Sequence, residues 1–164
     1  MKGPDTGQEV DAEEALLREV ARSLERYRRV GHEVVTALVH SVPLDVTLCV
    51  CVLPQYLSGH VEAALRDTFS NRRLPDGRLG FFHPDNFALG QPVYLSRLIA
   101  AAQDVEGVRD VRVVVRRHFA EPDEEVFDQP GVLVAVGPLE VARCDNDPNY
   151  PENGTLKLDL RGGL

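Results

Sequence analysis

The sequence predicts an α+β fold, in which an N-terminal helix is followed by a small mixed sheet with two helices packed on one face. Helical and strand patterns occur in the order helix, strand, helix, loop, helix and three strands, so they do not alternate strictly. Residues 46–53 (VTLCVCVL) are apolar or nearly so on both faces, which is typical of a buried central strand. The length of 164 residues suits one domain with a core of its own.

The first helical pattern covers residues 12–30 and has one apolar stripe on an otherwise charged helix. This helix stripe consists of Leu16, Val20, Leu24 and Tyr27, at spacings of four, four and three residues. Gly31 is predicted to end the helix. The stripe must pack against either the rest of this chain or another chain, so it is the candidate partner interface. We assign residues 1–34 to a flexible segment with this amphipathic helix, and residues 35–164 to the α+β domain.

Two more helices and three more strands complete the predicted domain. Apolar residues at spacing four predict a helix over 59–70, and Pro92 suits the first turn of another. Residues 109–117 alternate between valines and polar residues over most of their length and predict a half-solvated, edge-like strand. Residues 132–136 show a second buried-strand pattern, and residues 155–160 alternate leucines with polar residues, as in a strand with one face inward.

The distribution of charge excludes several classes of partner. The net charge is −8, and residues 1–40, 41–120 and 121–164 contribute −2, +1 and −7. An acidic protein with a strongly acidic C-terminal part is a poor candidate for binding nucleic acid or an anionic membrane surface. Apolar runs do not approach the 18 residues of a membrane span, and the first residues lack the apolar core of a signal peptide. We therefore expect a soluble, intracellular protein without direct membrane insertion.

The chain lacks the motifs that carry common cofactor and metal chemistry. Among its three cysteines, Cys49 and Cys51 share one face of the predicted central strand and do not have the spacing of a zinc motif. Neither a GxSxG motif nor a phosphate-binding glycine loop is present, and the five histidines do not have metal-binding spacing. We predict no cofactor and no metal, and the odd cysteine count is typical of a reducing compartment.

Two places carry alternative functions. His83 and Asp85 could form an acid/base pair in a small enzyme, although His-Pro-Asp is also an ordinary turn. The oxygen-rich segment 145–154 could hold Ca²⁺ in a calcium-stabilised binding module, although it does not match the EF-hand pattern. Turns rich in Asp, Asn, Pro and Gly look the same without a metal, so both alternatives stay open.

Three segments together resemble a known family. They are 43–56 (PLDVTLCVCVLPQY), 76–113 (DGRLGFFHPDNFALGQPVYLSRLIAAAQDVEGVRDVRV) and 137–163 (GPLEVARCDNDPNYPENGTLKLDLRGG). Their combination is similar to the C-terminal region of the baseplate J-like proteins, which are baseplate assembly or wedge proteins of contractile phage tails and phage-tail-like injection particles. The likeness covers about residues 35–163. Members of this family are usually much longer, with additional N-terminal domains, and the likeness here is to their C-terminal region.

The resemblance implies a structural role in a baseplate wedge. The expected partners are other wedge subunits and copies of the same chain around a central hub, with hub, sheath or tube components as further partners. The resemblance implies no catalytic residues that can be placed on this chain. It also implies that the protein is cytoplasmic during assembly and then forms part of a virion or phage-tail-like particle.

Overall fold

The computed structural model describes residues 6–119, 126–127 and 131–164. The chain divides into two compact units, one ending at Val39 and the other running from His40 to Leu164. The predicted α+β class is confirmed, because the described residues form three α-helices and a mixed sheet. Among the described residues, none of the helices combines the length and apolar character that a membrane span requires.

In the first unit, helix α1 runs from Thr6 to Glu25, and not over residues 12–30 as predicted. The helix ends early at residues 25–29 (ERYRR), where Tyr27 is the one apolar side chain and a further helical turn would bury little. The chain turns there, and the Tyr27 N–H donates to the Leu24 carbonyl at 2.9 Å. Tyr27 therefore lies in the turn after α1 and not on the helix itself.

The second unit is built around strand β1 (His40–Val52). On one side, β3 (Val108–Arg117) pairs with it antiparallel. On the other side, β6 (Glu140–Arg143) and β7 (Thr155–Gly162) pair with it in parallel, one after the other along its length. The predicted strand is thus central in the sheet, and it begins six residues before the apolar run 46–53. The expected burial of both its faces is wrong, because Thr47 and Cys49 are half-buried and Cys51 is exposed.

One face of the sheet is covered by α2 (Ser58–Thr68) and α3 (Leu95–Gln103), as predicted. Even-numbered residues of β1 from Val42 to Val52 point toward these helices and are buried, because successive side chains of a strand point to opposite faces. The core also includes buried side chains from both helices and from β3, namely Val61, Leu65, Leu95, Leu98, Ala102, Val111, Val113 and Val115.

Two local elements differ from their predictions. Pro92 does not begin α3, because the chain first forms a short strand β2 (Val93–Tyr94). The strand predicted at 132–136 is present but short, since β5 (Leu133–Val134) pairs antiparallel with β2 in a separate two-stranded sheet, and Val134 is the one fully buried residue of this run. A short apolar run next to a turn is compatible with a short strand of a two-stranded sheet as well as with a buried strand of a larger sheet. The strand with which it pairs determines which of the two forms.

Strands β3 and β7 each have an edge that is partly unpaired among the described residues. β4 (Val126–Phe127) borders β3 only at Val115 and Arg116, so much of β3 has β1 as its one strand neighbour among the described residues, close to the predicted edge-like strand. In β7, Leu156 is buried and faces the core as predicted, whereas the later leucines of the same face are half-buried. They are less covered because β7 pairs with β1 alone in the described part of the chain.

The opposite side of the main sheet has no buried side chain among its described residues. We call this surface the open sheet face. It is formed by Asp45, Thr47, Cys49 and Cys51 of β1, by Asp110, Arg112, Val114 and Arg116 of β3, and by Thr155, Lys157, Asp159 and Arg161 of β7. Each of these side chains is half-buried or exposed.

Candidate functional site

A polar cluster lies where β1 changes its neighbour from β6 to β7. The Asp45 carboxylate accepts hydrogen bonds from the Thr155 hydroxyl at 2.6 Å and from the Thr155 N–H at 3.2 Å. Both carboxylate oxygens lie 3.0 Å from Nδ1 of His118, which follows β3. These contacts join the ends of β3 and β7 to the central strand.

The protonation of Asp45 reflects two opposing influences. Partial burial works against the charged carboxylate and is the largest single influence. The hydrogen bonds from Thr155 and His118 together outweigh it, so the pKa of Asp45 lies below its ordinary value. The cluster therefore holds an ionised carboxylate at neutral pH, with its oxygens engaged in joining strands.

Sequence reasoning missed this cluster. Its signal was a single acidic residue, Asp45, directly before the apolar run of the central strand, together with His118 directly after another strand. A charged side chain beside a buried strand needs a polar partner. That rule indicates that Asp45 needs a hydrogen-bond or ion-pair partner, but the sequence does not identify Thr155 and His118 as its partners.

The loop between β6 and β7 packs closely against the same junction. Gly154 has φ of +96°, and a Cβ atom at this position would lie 2.6 Å from the Leu44 carbonyl oxygen. Asn146 adopts φ of +51°, and its Oδ1 accepts a hydrogen bond from the Leu156 N–H at 3.0 Å. Asparagine and glycine are the residues that tolerate this backbone region best, so the loop is built to bring β7 alongside β1.

The predicted acid/base pair lies in a turn. Nδ1 of His83 accepts a hydrogen bond from the Asp85 N–H at 3.2 Å and caps a short 3-10 turn at Pro84–Asn86. The Asp85 carboxylate is 3.7 Å from the same nitrogen, and its side chain is 70% exposed. The neighbouring rings of Phe82 and Phe87 stack with a centroid distance of 6.0 Å. This geometry favours the interpretation of His-Pro-Asp as an ordinary turn over its interpretation as an acid/base pair.

The segment 145–154, proposed as the alternative calcium site, uses its oxygens within the protein. The Asp145 carboxylate accepts hydrogen bonds from Nε of Arg143 at 2.8 Å and from Nδ2 of Asn71 at 3.1 Å. Oδ1 of Asp147 accepts the Asn149 N–H at 2.9 Å. Within the described ranges, no group of three or more His, Cys, Asp or Glu side chains is placed to hold a metal. These contacts favour an Asx-rich turn at this position.

Neither the buried cysteine nor a surface depression near α2 and α3 is equipped for nucleophilic chemistry. Burial, the largest cause, raises the pKa of the Cys144 thiol to about 12, which makes it a poor nucleophile. A depression of about 500 Å³ lies near the C-terminal ends of α2 and α3. Its ionisable lining consists of four carboxylates and Arg78, and Nε of Arg78 is 2.6 Å from the Asp76 carboxylate. This lining offers no nucleophile paired with a base.

The helix stripe is exposed on the chain. The exposed fractions are 56% for Leu16, 41% for Val20, 42% for Leu24 and 84% for Tyr27. The first three share one face of α1, while Tyr27 lies in the turn after it. Three large apolar side chains exposed in a row are typical of a surface that binds another protein.

Comparison with protein-family models gives no match, and comparison with curated proteins gives no significant match. Any function for the chain therefore depends on the resembling segments and on the surfaces of the chain itself.

Proposed function

We propose that this chain is a structural component of the baseplate wedge of a contractile tail or phage-tail-like particle. It binds neighbouring wedge subunits and copies of itself around a central hub, and hub, sheath or tube components are further partners. It acts through the shape of its surfaces and not through a reaction. In this proposal it resides in the cytoplasm during assembly and then in the finished particle, without binding nucleic acid or inserting into a membrane.

One observation carries the proposal: the three segments that resemble the baseplate J-like proteins form one continuous piece of structure. Segment 43–56 contains most of β1, segment 76–113 contains α3 and the first part of β3, and segment 137–163 contains β6 and β7. β3, β6 and β7 all hydrogen-bond to β1. Residues far apart in sequence thus resemble one family at the places where they fold together, which is what a shared domain requires.

The exposed helix stripe supports a role in assembly. Large apolar side chains on an otherwise charged helix are costly to leave in water, at about 25 cal/mol for each Å² of apolar surface. A partner that covers Leu16, Val20 and Leu24 would remove this cost. A multi-subunit ring offers each subunit such partners.

The organism that encodes the chain provides a direct test. We expect an affinity-tagged copy to be found in the baseplate fraction of purified tail-like particles by mass spectrometry. We also expect deletion of the gene to leave tubes and sheaths unassembled in electron micrographs, because a ring that lacks one wedge component cannot hold them. Intact baseplates in the deletion strain would show that the proposal is wrong.

Variants of the helix stripe test the interface separately. Leu16→Asp combined with Leu24→Asp should prevent capture of wedge components in a pull-down while leaving the free energy of unfolding within about 0.5 kcal/mol, because both side chains are exposed. Leu65→Ala in α2 is the matched control, since Leu65 is fully buried and its truncation should cost about 2–5 kcal/mol of stability. Unchanged capture of wedge components by the stripe variant would show that the helix stripe is not part of the interface.

A further inference from the structure

We propose that α1 of one copy lies across the open sheet face of a second copy of this chain. The inference deepens the proposed function and rests on it, because it names the partner of the helix stripe and the surface on which the stripe docks. Both surfaces are present on every copy, so a pair of chains can make the same contact twice.

The centre of the open sheet face is weakly polar and bordered by cations. Thr47 lies between Val114 and Lys157 in the strand register, and the next position of β1 on this face, Cys49, has Arg112 as its neighbour. Thr47, Cys49 and Val114 are half-buried, whereas Arg112 and Lys157 are exposed. The centre of the face is therefore small and uncharged, as a surface that receives apolar side chains must be.

Two cations of this face, Arg112 and Lys157, are available to a partner. Neither makes an ion pair with another residue in the part of the chain that the structure describes. The nearby Asp159 is already paired, since its carboxylate lies 3.2 Å from the Arg161 guanidinium. The open sheet face thus presents Arg112 and Lys157 on either side of its uncharged centre, with the exposed Asp110 carboxylate at one end beside Cys51. An acidic partner would complement the two cations.

Helix α1 has the opposite charge on its apolar side. Glu13 lies three residues before Leu16 and seven before Val20, which places it in line with the stripe. Glu19, three residues after Leu16, borders the stripe. Neither glutamate makes an ion pair with another described residue.

The cations of α1 lie away from this side. Arg18 is paired with Glu14 at 2.6 Å, and Arg22 lies on the opposite side of the helix from Val20. The apolar stripe is therefore accompanied by negative charge, while the uncharged centre of the sheet face is accompanied by positive charge. The two surfaces are complementary both in polarity and in charge.

The dimensions of the two surfaces agree. From Glu13 to Leu24 the helix rises about 16 Å, at 1.5 Å per residue. From Asp45 to Cys51 the central strand extends about 20 Å, at about 3.3 Å per residue. A helix about 10 Å in diameter covers three strands that are about 4.8 Å apart. The docked helix would give the sheet a layer on its second face, as in other layered folds.

Light scattering during size-exclusion chromatography tests the partner. The chain has a mass of 18.2 kDa, so a pair of copies is expected at twice that mass or, for a ring, at a higher multiple. Observation of a monomer at concentrations up to about 1 mM would overturn the inference. In that case either the helix folds back on its own chain or both surfaces stay free. A monomer would also remove direct binding between copies from the proposed function, whereas the role in the baseplate is tested separately by particle assembly in the organism.

Charge exchange tests the surface. Arg112→Glu with Lys157→Glu should raise the dissociation constant of the pair about tenfold or more, and Glu13→Lys with Glu19→Lys should do the same. In each variant, side chains of the same charge face each other across the contact and repel. Mixing the two variants restores opposite charges in both contacts, so the mixture should associate again although each variant alone does not. Failure of the mixture to associate, with both variants folded by circular dichroism, would assign the helix to another surface.

A matched control separates specific contacts from the change in net charge. Arg22→Glu with Arg26→Glu makes the same change in charge as the sheet variant, but Arg22 lies on the side of α1 away from the stripe. This control should associate with a dissociation constant within about threefold of the unmodified chain. An effect as large as that of the sheet variant would show that net charge alone governs association, and the inference would be wrong.

Discussion

Asp45 holds Thr155, the first residue of β7, although 110 residues separate them in the sequence. The carboxylate accepts both the hydroxyl and the N–H of Thr155. β1 pairs with β6 up to Pro43 and with β7 from Asp45 onward, so this contact marks the position where one parallel neighbour replaces the other. Since hydrogen bonds to an ionised acceptor are stronger than neutral ones, the junction depends on the charge of Asp45.

Asp45→Asn should lower the free energy of unfolding by about 1–2 kcal/mol, because the hydrogen bonds of Thr155 lose a charged acceptor. Urea denaturation followed by circular dichroism measures this loss. Asp159→Asn is the control, since Asp159 forms an exposed ion pair with Arg161 and its replacement should change stability by less than about 0.5 kcal/mol. Equal losses in the two variants would mean that the bonds of Asp45 add nothing to stability.

The contribution of Asp45 should depend on pH in a defined direction. Its pKa is lower in the folded chain than its ordinary value of 3.8, so the unfolded chain takes up a proton first as the pH falls. The stabilisation is fully present above the unfolded pKa and is lost as the pH falls through the folded one. The difference in unfolding free energy between the unmodified chain and Asp45→Asn should therefore shrink as the pH falls below about 4. A difference that grows on acidification would contradict the lowered pKa.

The fold could be predicted from sequence wherever one local pattern determined one element. The apolar run of β1 predicted a central strand, although only one of its faces is buried, and the apolar residues of α2 and the alternating leucines of β7 each have one face to bury. The bounds of α1 and α3 were less accurate. Pro92 and Gly31 are signals that a turn or a strand also uses, and β2 exists only because β5 pairs with it.

The polar cluster could not be predicted in the same way, because its partners come from three distant parts of the chain. A pattern over ten residues shows that Asp45 interrupts an apolar strand, but only the register of β1 with β7 places Thr155 beside it. Conversely, His83 and Asp85 stand out as a pair in the sequence, and the structure uses His83 to cap the turn. Proximity in sequence is thus a weak guide to a site, since turns concentrate the same residue types.

Gly154→Ala should destabilise the chain more than any exposed substitution, by about 2–4 kcal/mol, because it combines a positive φ with a close approach of backbone. A Cβ atom would lie 2.6 Å from the Leu44 carbonyl oxygen and 3.0 Å from the Arg143 carbonyl oxygen. Gly59→Ala is the matched control. Gly59 lies in α2, and a Cβ atom at this position would have nothing within 4 Å, so this change should add about 0.5–1 kcal/mol of stability. Thermal unfolding of both variants measures the difference, and a neutral Gly154→Ala would show that the loop relaxes away from β1.

Removal of divalent cations should leave the melting temperature unchanged. The reason is that Asp145 is held by the protein itself, through Arg143 at 2.8 Å and Asn71 at 3.1 Å, and Asp147 serves the backbone of the same turn. Thermal unfolding in EDTA and in excess Ca²⁺ measures this directly. Binding to the folded state alone raises stability by about 2.7 kcal/mol at a hundredfold excess over the dissociation constant, so a real calcium site would separate the two melting curves by several degrees. In that case Asp145→Asn should abolish the separation, whereas in the absence of calcium binding it weakens the turn equally in both solutions.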